Sequence, residues 1–241
     1  MPADRHETTR DAAAGRSPAR AGVGDDPWPT TLDEARAVQE VLRHRVVASG
    51  DLPPPRRIAG VDVHFGAVSG LAWGAVAVLD GESLELVESA LAAVPAGMPY
   101  VPGYLSFRET PAALAALAML REPPDLLMVD GQGIAHPRRF GIACHIGVLV
   151  DIPAIGVAKS LLVGRHEEPA AEAGHSTPLL HRREVIGRVV RTRDGVRPLF
   201  VSAGHRIGLE RAVELVLATT RGRRLPEPTR IADLLSRAHP P

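Results

Sequence analysis

The chain has 241 residues, one cysteine and a formal net charge of zero, with 45% hydrophobic residues and only 3% aromatic ones. These totals suit one globular domain with a core of Ala, Val and Leu. They exclude a disulfide framework, a cysteine metal cluster and a uniformly basic nucleic-acid binder, and leave open a local basic face such as the arginines from 182 to 197.

Residues 1–27 mix Ala, Gly, Asp and Arg without periodicity and read as a disordered tail, leaving 28–241 as a single domain. No stretch reaches the ~20 apolar residues of a membrane span, and the polar N-terminus lacks a signal-peptide apolar region. A cytoplasmic monomer with no membrane partner is the expectation.

Thr31 and Glu34 form a T-x-x-E capping box, and Ala35, Val38, Leu42 and Val46 follow at helical spacing. A helix is therefore predicted over about 32–48, broken by "GDLPPPRR". Three strand-like runs come next, "RIAGVDVHF" (57–65), "GLAWGAVAVLD" (70–80) and "SLELVESALAAV" (83–94). Short Gly-containing turns between them point to an antiparallel meander.

"TPAALAALAMLRE" (110–122) predicts a helix capped by Thr110, "DLLMVDG" (125–131) a buried strand, "GIACHIGVLVDI" (141–152) an apolar helix and "AIGVAK" (154–159) a short strand. "REVIGRVVRT" and "PLFVSAG" read as a hairpin, and "GLERAVELVLATT" as a later helix. Strands first, then alternating helix and strand, describe an α/β fold with a mixed sheet flanked by helices.

Asp62 lies inside one apolar run and Asp130 at the end of another. An acid on a buried strand is costly unless something pairs with it. An arginine partner or a turn cap would serve. If the two strands are neighbours, a divalent cation on oxygen ligands such as magnesium would serve as well. Glu109, just before the 110–122 helix, reads by itself as a charge favourable with a helix N-terminus.

"MPYVPGYLSF" is a stiff loop with two prolines and the only two tyrosines. It suits either wedging into a base stack or plain packing. Gly131 and Gly133 let backbone approach a ligand. His136 follows that loop. Cys144 and His145 lie in an apolar helix and read as core. His205 stands at a strand-to-helix junction, where it either caps the helix or meets an anion. Lys159 is the single lysine in a chain that otherwise uses arginine.

Taken together, "RIAGVDVHF", "PYVPGYLSFRE", "DLLMVDGQGIAHPRRFGIACHIGVLVDIPAIGVAKSLLVG", "VSAGHRIGLERAVELV" and "LPEPTRIADLLS" resemble the endonuclease V family of inosine-directed nucleases, over about 32–236. The resemblance implies an RNase H-like fold, a mixed five-stranded sheet whose first three strands are antiparallel, flanked by helices. By motif position it implies metal-binding acids at Asp62, Glu109 and Asp130, with Lys159 and His205 as further catalytic residues. His136 matches the histidine after the Asp-Gly strand end. Tyr100 matches the wedge tyrosine that fills the space of a displaced base. Gly103, Leu105, Gly131 and Ile142 occupy the positions of the base pocket.

The cofactor so implied is Mg2+, with Mn2+ as a substitute. The partner is DNA containing deoxyinosine, cut at the second phosphodiester 3′ of the lesion to leave a 3′-hydroxyl and a 5′-phosphate. An inosine-directed ribonuclease of the same fold and a non-catalytic nucleic-acid binder are the alternatives. His64-Phe65, Tyr104 and Ala203 depart from the family pattern, Tyr104 beside the positions of the base pocket.

Overall fold

The computed structural model describes residues 28–66, 69–99 and 101–238. The expectations for residues 1–27 and for Tyr100 lie outside them. Thr31 closes the capping box with Glu34 at the start of α1 (Leu32–Leu42), and one 3₁₀ turn (Arg43–Arg45) ends it, short of the predicted position 48. The strands β1 (Arg57–Phe65), β2 (Leu71–Asp80) and β3 (Leu86–Pro95) form the antiparallel meander. After α2 (Leu105–Leu117), β4 (Leu126–Val129) and β5 (Ala154–Ala158) flank α3 (Ile142–Val150). The chain then forms β6 (Ser176–His181), β7 (Glu184–Val190), β8 (Leu199–His205), α4 (Leu209–Ala218) and α5 (Glu227–Arg237).

All eight strands join one sheet in the order β3-β2-β1-β4-β5-β8-β7-β6. β1, β4 and β5 are mutually parallel, and the other pairings are antiparallel. The expected five-stranded sheet is therefore extended by three strands. β8 offers its edge to β5, and the β6-β7 hairpin continues from β8. β6 escaped the sequence reading because "STPLLH" contains a proline and only a short apolar run.

One face of the sheet packs Val61, Val76 and Val78 against Ala113 and Ala116 of α2 and Ile142 and Ile146 of α3. The opposite face packs Ile58, Met128, Ile155 and Val201 against Ala212, Val213 and Val216 of α4, and Leu79 against Ala232 of α5. Each fully buried Val, Leu, Ile or Met side chain among these contributes roughly 1.5–3 kcal/mol relative to exposure, and each Ala methyl less. Two glycines set the closeness of the helices. A Cβ on Gly60 of β1 would stand 1.8 Å from the Pro228 carbonyl oxygen of α5, and one on Gly74 of β2 would stand 2.2 Å from the Ala112 oxygen of α2.

α2 begins five residues earlier than predicted, so Thr110 lies inside it and Pro111 interrupts it. A proline here removes the hydrogen bond to the carbonyl four residues back. That carbonyl, on Phe107, instead accepts the Trp28 indole N–H at 2.7 Å. No helix among the described residues is long and apolar enough to cross a membrane.

Candidate active site

Three strands carry an apolar row on one face that leads to a charged residue. On β1 the row is Ile58, Gly60, Asp62, on β4 it is Leu126, Met128, Asp130, and on β5 it is Ile155, Val157, Lys159. Side chains alternate with period two, so each charged residue faces the side of α4 and α5. Register does the rest. Val61 pairs with Val129 in the parallel β1-β4 ladder, and the Asp130 amide donates to the Val61 carbonyl at 2.9 Å. Asp62 and Asp130 are therefore side by side.

α5 closes over this row. Its Asp233 completes a group with Asp62 and Asp130 in which one carboxylate oxygen from each lies within 4.8 Å of the others. The Lys159 amine sits 2.5 Å from Asp130 Oδ2 and 2.6 Å from Asp233 Oδ1. Arg237 donates to Asp233 at 3.0 Å, and the Ser236 hydroxyl donates to Asp62. The Lys159 backbone is held in turn, its carbonyl accepting from Arg224 at 2.8 Å. Glu109 comes from α2 and lines the same cavity, outside the three-acid group.

The electrostatics follow from burial. Burial and then the Asp62 and Asp130 charges push Glu109 well above the usual carboxylate range. Burial is also the main reason Asp130 is pushed up to about 7, with Lys159 opposing the shift and Asp62 adding to it. Burial works against the Lys159 charge, but Asp130 and Asp233 outweigh it and hold the amine above its ordinary value. Crowded carboxylates that resist their own ionisation, with oxygen as the only donor type, fit a hard divalent cation. Asp62, Asp130 and Asp233 are the residues placed to hold one.

The cavity beside the acids has a volume of about 490 Å³. Gly103, Leu105, Gly131, His136 and Ile142 line it, so the structure brings together the acids and all the described base-pocket positions. Gly131 has φ 151°, and a Cβ there would stand 2.5 Å from Ile142 Cγ2, closing the space.

His136 is buried, and burial followed by the Arg138 charge lowers its pKa to about 4, so the ring is neutral. Its Nδ1 accepts from the Arg138 amide at 3.2 Å, which leaves Nε2–H to donate to the Gly103 carbonyl at 3.1 Å. The same carbonyl takes a second bond from the Arg138 guanidinium at 2.6 Å, and Arg138 stacks 4.3 Å from the Tyr104 ring centre. The Gly103 turn is thus fixed from two sides, and Tyr104 packs behind it on Arg138.

His205 is not brought to this site. It pairs with Ala154 at the start of β5, whereas Lys159 follows the other end of that strand, roughly 16 Å away at ~3.3 Å per residue. Its Nδ1 accepts from the Val47 amide at 3.4 Å, and its Nε2 meets Asp151 Oδ1 at 3.2 Å. These bonds tie the segment after α1 to the end of α3. The residue that sequence reasoning missed is Asp233. Its signal lay inside "LPEPTRIADLLS", but an Asp four residues before an Arg on a helix reads as a solvated surface pair.

The family model described as Endonuclease V matches residues 40–234. The Endonuclease V of Trichormus variabilis is 54% identical over 211 residues, covering 87% of this chain and 96% of its own. The crystal structure of the Endonuclease V from Streptomyces avermitilis superposes with a TM-score of 0.84 at 48% identity, over 87% of this chain and 93% of that one. That of Ciona intestinalis Endonuclease V, in complex with a 24mer DNA containing an inosine followed by a ribo-adenosine, superposes with a TM-score of 0.75 at 30% identity, over 86% and 96%.

Proposed function

The chain belongs to the endonuclease V family, and from that membership we propose that it is a magnesium-dependent endonuclease acting on strands that contain deoxyinosine. The observation that carries the reading is the convergence of Asp62, Asp130, Asp233 and Lys159 beside a cavity of about 490 Å³. The inosine-containing DNA held by the Ciona relative supports the substrate class.

In this reading the nucleotide leaves the stack and its base enters the cavity. Weak pairing at inosine lowers the cost of that step. Gly131 leaves room for the ring beside Ile142. The Gly103 turn, fixed by neutral His136 and by Arg138, forms the opposite wall, and Leu105 packs on the base. Tyr100, next to this turn in sequence, fills the gap left in the stack. Asp62, Asp130 and Asp233 would hold magnesium, which would supply charge relief on the phosphate and help to ionise the attacking water. Glu109, from α2, supports the same site.

Lys159 remains protonated, so its amine donates to a phosphate oxygen and balances the acids and does not act as a base. The Lys159 ammonium is a compact charge that meets one oxygen each of Asp130 and Asp233, and a larger planar guanidinium in its place would have to move them apart. Hydrolysis at the second phosphodiester 3′ of the inosine would leave a 3′-hydroxyl and a 5′-phosphate.

The test uses end-labelled strands carrying one inosine, as DNA and as RNA, with Mg2+ or Mn2+. One nick per DNA strand at the second phosphodiester is expected. No nicking of either strand overturns the reading, and faster cutting of RNA reassigns the substrate.

A further inference from the structure

A second cleft, of about 340 Å³, lies on the other side of the loop that carries His136. Arg43, His44, Arg138, Arg139 and Arg182 line it, with Glu184 as the one acid among the lining residues. Glu184 is already engaged by Arg139, at 2.8 and 3.1 Å. Arg139 also bonds the His136 carbonyl at 2.9 Å and His181 Nδ1 at 3.1 Å. One guanidinium therefore clamps the β6-β7 hairpin onto the loop that walls the acid cavity.

The hairpin tip itself is unusual. His181 pairs with Glu184, so the turn has two central residues, Arg182 and Arg183. Both have positive φ, 53° and 69°. Such type I′ turns strongly favour Asn-Gly, because side chains with a Cβ are strained there. Here two exposed arginines occupy the strained positions, and neither closes a salt bridge among the described residues. Strain of this kind persists where a side chain has a task that the turn alone does not need.

We infer that the hairpin tip and the Arg43–Arg138 cleft form a phosphate clamp for the backbone of the substrate strand beside the nucleotide held in the acid cavity. The inference rests on the nuclease reading of that cavity. The two clefts share a wall, since Arg138 lines one and bonds the Gly103 carbonyl of the other. A strand with its base in the acid cavity would carry its phosphates across this wall. Of the four arginines lining the cleft, Arg43 pairs with Glu40 at 3.3 Å, Arg139 with Glu184 and Arg138 with the Gly103 carbonyl, which leaves exposed Arg182, with Arg183 beside it at the tip, for a phosphodiester, which accepts bidentate arginine bonds.

The test replaces the turn by its favoured residues, Arg182→Asn with Arg183→Gly, in the full chain carrying Asp62→Asn to prevent cutting. Binding of fluorescent strands with and without one inosine is followed by anisotropy in Mg2+ across salt concentrations. Asn-Gly relieves the turn, so the variant should melt at or above the temperature of its parent, and weaker binding then cannot come from unfolding. Affinity for the inosine strand should fall roughly 10-fold near 0.1 M salt, and the slope of log K against log salt should shrink by about one to two. Arg121→Asn, which removes an exposed charge beside Glu88, serves as the control and should change neither. If the hairpin variant keeps the parental affinity and slope, or Arg121→Asn loses as much, the clamp is overturned while the nuclease reading stands. If the chain without Asp62→Asn nicks no inosine strand in Mg2+, the nuclease reading falls and the clamp with it.

Discussion

Single residues decide which charges act at the site and which only hold the fold. Asp233 and His205 make the contrast. Asp233 touches the Lys159 amine and shares the acid group, whereas His205 joins the end of α3 to the segment after α1. Asp233→Asn should therefore cut single-turnover nicking by about 100-fold or more, as removal of a charge aimed at the reacting group does. Lys159→Arg should fall in the same range with little change in melting temperature. His205→Gln should instead lower the melting temperature, with turnover retained. Equal nicking by Asp233→Asn and the parent would remove Asp233 from the machinery.

Burial of histidine gives the residue scale a pH signature. His145 is fully buried in an aromatic box with Trp28, Phe107 and Phe140, and its ring nitrogens find no hydrogen-bond partner among the described residues. Burial lowers its pKa to about 3, as burial and Arg138 lower that of His136 to about 4. Both folded values lie below the unfolded value near 6.5, so the unfolded chain takes up protons first as pH falls. The contribution of these two histidines to stability is fully present above about pH 6.5 and is lost downward through about pH 4 for His136 and about pH 3 for His145, by at most about 1.4 kcal/mol per pH unit for each. Asp130 and Glu109, both raised by burial, act with the opposite sign over this range, so the histidine share is read as a difference: in urea titrations between pH 7 and 4.5, the slope of stability against pH in His145→Leu should be about one proton smaller than in the parent.

Among the elements, the glycines of the strands matter as much as the acids. Gly60 lets the backbone of α5 rest on β1, two residues before Asp62. Gly60→Ala would push away the helix that carries Asp233, Ser236 and Arg237. Overpacking of this kind costs about 1–3 kcal/mol. The variant should melt earlier and nick more slowly, with weaker Mg2+ binding. A normal melting temperature with normal nicking would mean that α5 tolerates the shift.

α2 shows the same dependence on a distant partner. Pro111 breaks its hydrogen-bond ladder, and Trp28, far away in sequence, takes up the freed carbonyl. From the sequence, the helix is expected over 110–122 with Thr110 as its cap. The structure starts it at Leu105 and so places Glu109 within the helix. Local pattern could not see the indole that makes this possible.

For the whole molecule, the acid group is where the fold concentrates unfavourable charge, with Lys159 offsetting part of it. A ligand that binds only the folded state raises its melting temperature by mass action. Millimolar Mg2+ should therefore raise the melting temperature of the parent by a few degrees, and this shift should vanish in Asp62→Asn. Retention of the full shift in that variant would place the cation elsewhere.

Much of this was written locally. The capping box at Thr31, the three-strand meander and the acids of apolar runs, Asp62 inside one and Asp130 at the end of another, all follow from residue type and period, which act over a few residues. The motif resemblance added the family and the cavity residues Gly103, Leu105, Gly131, His136 and Ile142. Tertiary structure alone decided which charges meet. Parallel strands end together, so Asp62, Asp130 and Lys159 share one end of the sheet. β8 runs antiparallel to β5, so His205 lands at the other end. Asp233 looks like an ordinary surface acid until α5 docks over Gly60 and buries it against Lys159. Residue type sets what a side chain can do, but register, strand direction and helix docking set its neighbours. Those are long-range relations that no window of sequence contains.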